Sequence, residues 1–206
     1  MPEEPQTKHC MGFIDGQNLY QHAKDAFGHH HPNYDPLKLH QAVCAEHGWQ
    51  PNLVRFYTGI PSHVESPMWA GYWAKRILYM KRSGIHVTTR PLRYRREKVT
   101  DAQGNESIVS TPQEKGIDVR LALDIVSTAR RKEWNVAVLY SQDQDLAEVV
   151  SEVEAIAREQ NRWVKICCAF PAGANATSGR GVDRTQWFRM QQNFYDACLD
   201  PTDYRT

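Results

Sequence analysis

The chain has 206 residues, enough for one domain with a sizeable core and short for two. A hydrophobic fraction of 41% and a charged fraction of 24% are ordinary for a globular protein and argue against global disorder. A formal net charge of +1 excludes a whole-molecule field toward nucleic acid or anionic lipid, so such contacts must come from local patches.

The chain begins Met1-Pro2-Glu3-Glu4, with no basic or apolar leader, so no secretory signal is expected. No apolar run approaches the roughly 20 residues of a membrane span. Five cysteines, an odd number without a paired framework, predict reduced thiols in a cytoplasmic protein. The first strand is predicted at Cys10 to Ile14, closing on Asp15-Gly16, and a helix follows from about Asn18 to Phe27. His29, His30, His31 and Pro32 read as a solvated loop, since three consecutive side chains cannot easily face one ion. Pro36 suits the first turn of a helix whose apolar face is Leu37, Leu39, Ala42 and Val43. Asn52 to Thr58 is a second strand. Met68 to Lys81 is a long helix carrying Trp69, Tyr72 and Trp73, read as packing or interface residues rather than a platform for bases. Gly84 ends it, and Ile85 to Thr89 is a third strand.

An excursion follows at 93–111. Arg93, Tyr94, Arg95, Arg96 and Lys98 precede the turn residues of 101–105, and Ser107 to Ser110 returns, so a β-hairpin is predicted. The rest reads as helix Ile117–Arg130, strand Asn135–Tyr140, helix Asp143–Gln160, strand Trp163–Phe170, a Gly-rich loop from Pro171 to Gly181, and a short helix at Asn193–Leu199. The expected organisation is one domain over 8–200, with 171–206 a loop and short helix. Strands joined through helices imply an α/β fold with a mostly parallel sheet and helices on both faces. In such sheets ligands gather beyond the carboxyl ends of the strands.

Acids stand at those places. Asp15 follows the first strand, and Asp143 and Asp145 follow the fourth. Asp118 opens the helix before the fourth strand. If the first and fourth strands are neighbours, these carboxylates meet. Crowded carboxylates repel, and a divalent cation resolves the repulsion. Mg²⁺ takes oxygen ligands and keeps several waters, and two ions about 4 Å apart activate water and stabilise a leaving oxygen. Asn18 could orient water or phosphate without adding charge, and Lys115 could neutralise a scissile phosphate. Singly, each acid is an ordinary turn or helix-start residue. Together, on the expected side of the sheet, they point to metal-assisted phosphodiester chemistry. Asp124 lies roughly 240° round the helix from Asp118, off its face, with its role left open.

Three segments resemble, in order, the three motifs of NYN domains, which are PIN-like domains related to the FLAP nucleases. They are Phe13-Ile14-Asp15-Gly16-Gln17-Asn18-Leu19, Lys115-Gly116-Ile117-Asp118 through Asp124, and Ser141-Gln142-Asp143-Gln144-Asp145-Leu146. The likeness runs from about residue 10 to residue 170. It implies a Rossmann-like, three-layer αβα PIN fold. It also implies Mg²⁺ or Mn²⁺ held by Asp15, Asp118, Asp143 and Asp145, and a ribonuclease acting on RNA. The family more often has Ser-Gly-Asp-Ser-Asp in the third motif, and the bulkier Gln142 and Gln144 could narrow the site, with their effect on activity left open. Arg93, Arg95 and Arg96 could grip the RNA backbone, with Tyr94 stacking on an unpaired base. Arg180 and Arg184, beside the Gly-rich loop, are further phosphate candidates. A solvated edge hairpin, whose charges block strand pairing, stands as an equal reading of the basic run.

Rivals are weighed on residues. A haloacid-dehalogenase-type phosphatase wants a second acid two positions after Asp15, where Gln17 stands. Neither Gly-x-x-x-x-Gly-Lys-Ser/Thr nor Gly-x-Gly-x-x-Gly is in place, so no organic cofactor is expected. An inactive RNA-binding module with the same acids is the alternative from another class. Whether the chain forms a homo-oligomer is left open.

Overall fold

The computed structural model describes residues 2–31, 33–100 and 106–205. The chain runs β1 (His9–Asp15), α1 (Gly16–Phe27), α2 (Pro36–His47), β2 (Gln50–Ile60), α3 (Pro67–Arg82) and β3 (His86–Pro91). It continues through the hairpin strands β4 (Arg93–Thr100) and β5 (Glu106–Gln113). Then come α4 (Ile117–Arg130), β6 (Val136–Tyr140), α5 (Leu146–Glu159), β7 (Lys165–Pro171), β8 (Gln186–Met190) and α6 (Gln192–Asp196).

Six strands form one sheet in the order β3-β2-β1-β6-β7-β8, and every neighbouring pair is parallel. This is the α/β architecture the alternation predicts, with the hairpin as a separate antiparallel pair. The first three sheet strands progress outward from β1 on one side. The chain then crosses and builds β6, β7 and β8 outward on the other. The order therefore reverses between β1 and β6, and the carboxyl ends of those two strands flank a crevice where such folds bind ligands.

Period-two alternation divides the core. From β1, Cys10 and Ile14 join a cluster with Leu19 and Ala23 of α1, Leu39 and Val43 of α2, and Met80 of α3. Met11 and Phe13 face the other way, onto Leu121 and Ile125 of α4 and Val150 and Val153 of α5. Both sheet faces are thus covered, and β1 and β6 are apolar on both sides.

Three sequence expectations need correction. The helix expected from Asp143 begins at Leu146. Asp143 accepts the N–H of Asp145 at 3.0 Å, and this local bond folds a turn ahead of the helix. The segment after Pro171, expected as loop and short helix, also holds β8. Gln-Trp-Phe-Arg-Met is short and lies at a sheet edge, so its weak alternation concealed it; pairing with Cys167–Pro171 makes it a strand. The final helix ends at Asp196 rather than Leu199. Of the hairpin, residues 101–105 and their expected turn lie outside the described residues, as does Pro32.

Gly16 shows how tightly α1 is seated at the crevice. A Cβ there would stand 2.5 Å from the Phe56 ring and 2.9 Å from the Tyr57 carbonyl oxygen. Gly71, within α3, has nothing within 4 Å of the same position. Gly16→Ala is therefore expected to destabilise by about 1–3 kcal/mol through overpacking. Gly71→Ala should stabilise by about 0.5–1 kcal/mol through backbone entropy. Denaturant midpoints of the two variants, moving in opposite directions, check both statements.

Candidate functional site

Parallel pairing of β1 with β6 places Ile14 opposite Tyr140, so Asp15 and Ser141 leave the sheet side by side. Asp15 caps α1 and accepts the N–H of Asn18 at 3.1 Å. Its other oxygen accepts the Ser141 hydroxyl at 3.3 Å. That hydroxyl oxygen in turn accepts the N–H of Asp143 at 3.2 Å. Ser141 thus ties the acid after β1 to the acid after β6. It was not singled out in the sequence, although it stands directly after a strand.

Asp118 reaches the same place from α4. Gly116 takes φ 76° at the helix start, a left-handed turn that glycine adopts without steric cost. Asp15, Asn18, Lys115, Asp118 and Asp143 line one open cavity of about 700 Å³. Five of the six expected catalytic positions therefore come together. Asp145 does not: it is exposed, lies before α5 and is absent from the cavity wall.

Glu114 is a further acid of this cavity. It follows β5, so the hairpin's return delivers it. Its carboxylate accepts the N–H of Gly59 at the end of β2 in a short hydrogen bond. No sequence signal marked it, because no strand end of the main sheet precedes it.

The acids are electrostatically strained. Burial pushes the Asp15 carboxyl up from 3.8 to about 6, with Asp143 and Asp118 adding repulsion and the bonds from Asn18 and Ser141 opposing it. Burial likewise pushes Glu114 up from 4.5 to about 7, opposed by Gly59 and assisted by the charges of Asp15 and Asp118. The donor set is all hard oxygen, the type that Mg²⁺ and Mn²⁺ take. Among the described residues, no three of these carboxylates bring oxygens within 4.8 Å of one another. The cavity thus fits an ion that keeps several waters and borrows ligands from substrate, not a closed protein cage.

Asn18 also holds the loop beside the cavity. Its Oδ1 accepts the N–H of Gln142 at 2.9 Å, which pins the turn after β6. The two glutamines turn away from the acids. Gln142 Nε2 donates to the carbonyls of Arg180 at 2.7 Å and Ser178 at 3.1 Å. Gln144 donates to the Gly181 carbonyl at 2.9 Å and accepts the N–H of Asp183 at 3.2 Å. They clamp the Gly-rich loop and are not among the residues that line the cavity.

Most of the expected basic contacts are locally neutralised. Arg95 pairs with Glu97 at 2.7 Å, Arg96 with Glu65 at 2.9 Å, and Arg180 with Asp183 at 2.9 Å. Arg184 pairs with Glu154. Arg93 is exposed. Tyr94 lies on the opposite face of β4 from Arg93 and Arg95 and lines a second, aromatic hollow. Arg90, at the end of β3, sets its guanidinium 3.8 Å from where a Cβ on Gly116 would stand, and is the cation the strand-end rule would have found. Asp124 is buried and held by the fold: it accepts from Tyr57 at 2.9 Å and from Arg120 at 2.6 Å, and it pairs with Arg55.

A second cluster lies in the core. Cys10, His40 and Cys44 present ligand atoms within 4.8 Å of one another. Both His40 ring nitrogens already have partners, the Tyr140 hydroxyl at 3.1 Å and the Cys10 carbonyl at 3.2 Å. All five cysteines are buried and unpaired. No helix among the described residues is long and apolar enough to cross a membrane.

Three comparisons bear on this arrangement. A family model described as the NYN domain matches residues 11–182. No curated protein matches the chain. Among solved structures, the chain is similar to a crystal structure of a protein of unknown function from Vibrio parahaemolyticus. Identity is 18%, 98% of each chain is covered, and the TM-score is 0.47.

The raised acids set the sign of a pH effect. Each folded-state value lies above the unfolded one, so their contribution to stability is fully present below about pH 4 and is lost as pH rises through about 6 and 7. Asp15→Asn keeps an N-cap acceptor and removes the buried charge. Without divalent ions at pH 7.5 (above both values), Asp15→Asn is expected to melt a few degrees higher than the parent, at roughly 2–4 °C per kcal/mol. The difference should vanish near pH 4. Melting curves of both proteins in chelator across this range check it; a lower melting temperature for the variant at pH 7.5 contradicts it.

Proposed function

The chain belongs to the NYN domain family, and from that premise we propose that it is a metal-dependent ribonuclease hydrolysing phosphodiester bonds at the Asp15 cavity. The observation that carries the reading is a buried carboxylate, Asp15, facing the same cavity as Asp118 and Asp143 at the point where strand order reverses. Burial raises the Asp15 carboxyl, with the charges of Asp143 and Asp118 adding a smaller push, and a cation at that place would relieve both.

In this reading Asp15, Asp118 and Asp143 hold Mg²⁺ or Mn²⁺ directly or through water, with Asp145 at most an outer participant. A bound ion would supply Lewis acidity toward water and toward the scissile phosphate. The protein's own groups do the positioning. Ser141 holds Asp15 and Asp143 in one arrangement. Asn18, its oxygen committed to Gln142, offers its NH₂ group to a phosphate oxygen. Lys115 is exposed at the cavity wall and places an ammonium charge beside the phosphodiester. Glu114, with a carboxyl near neutrality, accepts or returns a proton close to working pH. Arg90 and Arg93 are the basic side chains best placed to meet flanking phosphates, because Arg95, Arg96, Arg180 and Arg184 already hold carboxylates.

The test compares the parent with an Asp15→Asn/Asp143→Asn double variant on a mixed single-stranded RNA pool with Mn²⁺. Cleavage by the parent should cease in chelator. The double variant should lose more than the about 10- to 100-fold that removal of an outer hydrogen-bond partner costs. Equal activity in the two preparations identifies a contaminant and leaves the inactive RNA-binding module as the better account.

A further inference from the structure

A larger hollow of about 880 Å³ adjoins the acid cavity. The two are contiguous. Gln17 lines both, Gly16 of the hollow follows Asp15, and Gly59 of the hollow holds Glu114 of the cavity. Rings from three separate segments face it: Tyr20 of α1, Trp69, Tyr72 and Trp73 of α3, and Tyr94 of the hairpin. Leu92 and Tyr94, with Ser110 and Pro112 of the paired strand, roof it, so one face of the hairpin completes the wall.

Its floor is polar and incompletely paired. Arg76 is only 3% exposed, yet it lines the hollow. Nη1 donates to the Tyr72 hydroxyl and Nη2 to the Tyr34 carbonyl, each at 2.8 Å. Nε has no partner, and Arg76 forms no ion pair with a carboxylate among the described residues. The guanidinium lies within 5.5–5.9 Å of the Tyr34, Tyr72 and Trp73 ring centroids. The hydroxyl of Tyr34, a residue 1% exposed, is likewise buried without a partner. Buried polar groups left unpaired beside an aromatic hollow call for a ligand with flat faces and a hydrogen-bonding edge.

The mouth selects further. Glu65, Asp200 and Asp203 line it, with Glu65 paired to Arg96 and Asp203 to Arg205. A phosphate would meet Asp200, which forms no ion pair among the described residues, and a cationic ligand would meet Arg76. A neutral planar group avoids both. Resting on the reading of the chain as a protein that acts on RNA, we propose that the hollow seats one unpaired nucleobase of the strand beside the scissile phosphate. Its faces pack among Trp69, Tyr72 and Tyr94, and its acceptor edge turns to Arg76. Recognition of single-stranded RNA commonly splays a base onto aromatic and guanidinium planes in this way. Trp69, Tyr72 and Trp73, read from sequence as packing residues, thereby become the specificity wall, and the hairpin is its lid.

The experiment is a binding titration in chelator, where no cleavage occurs. A labelled short single-stranded RNA carries one abasic position, walked along the strand, and its affinity is read by fluorescence anisotropy. At one or two positions the loss of the base should weaken binding by about tenfold, while every phosphate remains. The parent protein gives this result, so folding of a variant does not enter. Trp69→Ala and Tyr94→Ala, both half-buried at the rim, should each erase the positional preference, and Arg95→Ala should keep it. Equal affinity at every abasic position overturns the proposal, and so does unchanged preference in both rim variants. Mn²⁺-dependent cleavage, scored separately, distinguishes the two readings. A flat walk with cleavage intact removes the base site alone, and a sharp walk without cleavage removes only the nuclease.

Discussion

Parallel pairing of β1 with β6 is the constraint on which the site depends. It reverses the strand order at one point of the sheet and brings the ends of two chain-distant strands together. Asp15 and Ser141 meet there because the ladder pairs Ile14 with Tyr140. The helix dipole and the free N–H groups at the start of α1 accommodate one carboxylate at this edge. Burial at this edge nevertheless raises the Asp15 carboxyl, and the charges of Asp143 and Asp118 add to the rise. Local disagreement between charge and burial within an otherwise consistent fold is where function is expected.

Around that edge the polar side chains divide the work of holding the loops. Asn18 fixes the turn after β6, Ser141 links two acids, and Gln142 and Gln144 clamp the segment after β7. The hairpin contributes twice. Its return strand delivers Glu114 to the acid cavity, and one of its faces roofs the aromatic hollow. An insertion with almost no buried residue of its own thus joins two cavities into one surface.

The elements whose chemistry is local were legible in the sequence. β1, α4 and β6 carry regular apolar patterns, and the acids that follow a strand or open a helix could be named from the carboxyl-end rule. What escaped depends on distant contacts. Glu114 matters only because the hairpin brings it to Gly59. Tyr94 was named for stacking, but only the fold shows that its face of β4, away from Arg93 and Arg95, lines the aromatic hollow. Trp69, Tyr72 and Trp73 have helical spacing, which says that they share a side of α3 but not whether that side is filled. Gln142 and Gln144 looked obstructive because residue size is visible in a sequence and hydrogen-bond direction is not. The basic residues of the hairpin and of the Gly-rich loop were legible as charge, while Glu65 beside Arg96, Glu154 beside Arg184 and Asp183 beside Arg180 lie too far along the chain, or too ambiguously, to be assigned from spacing.

The central claim is that the acids of one cavity exist to share a divalent cation. Anomalous scattering from crystals soaked in Mn²⁺ addresses it without reference to any substrate. The account predicts a peak in the cavity bounded by Asp15, Asp118 and Asp143, lost in the Asp15→Asn variant. A protein that takes up no manganese there, or takes it only at the buried Cys10, His40 and Cys44 cluster, would contradict it.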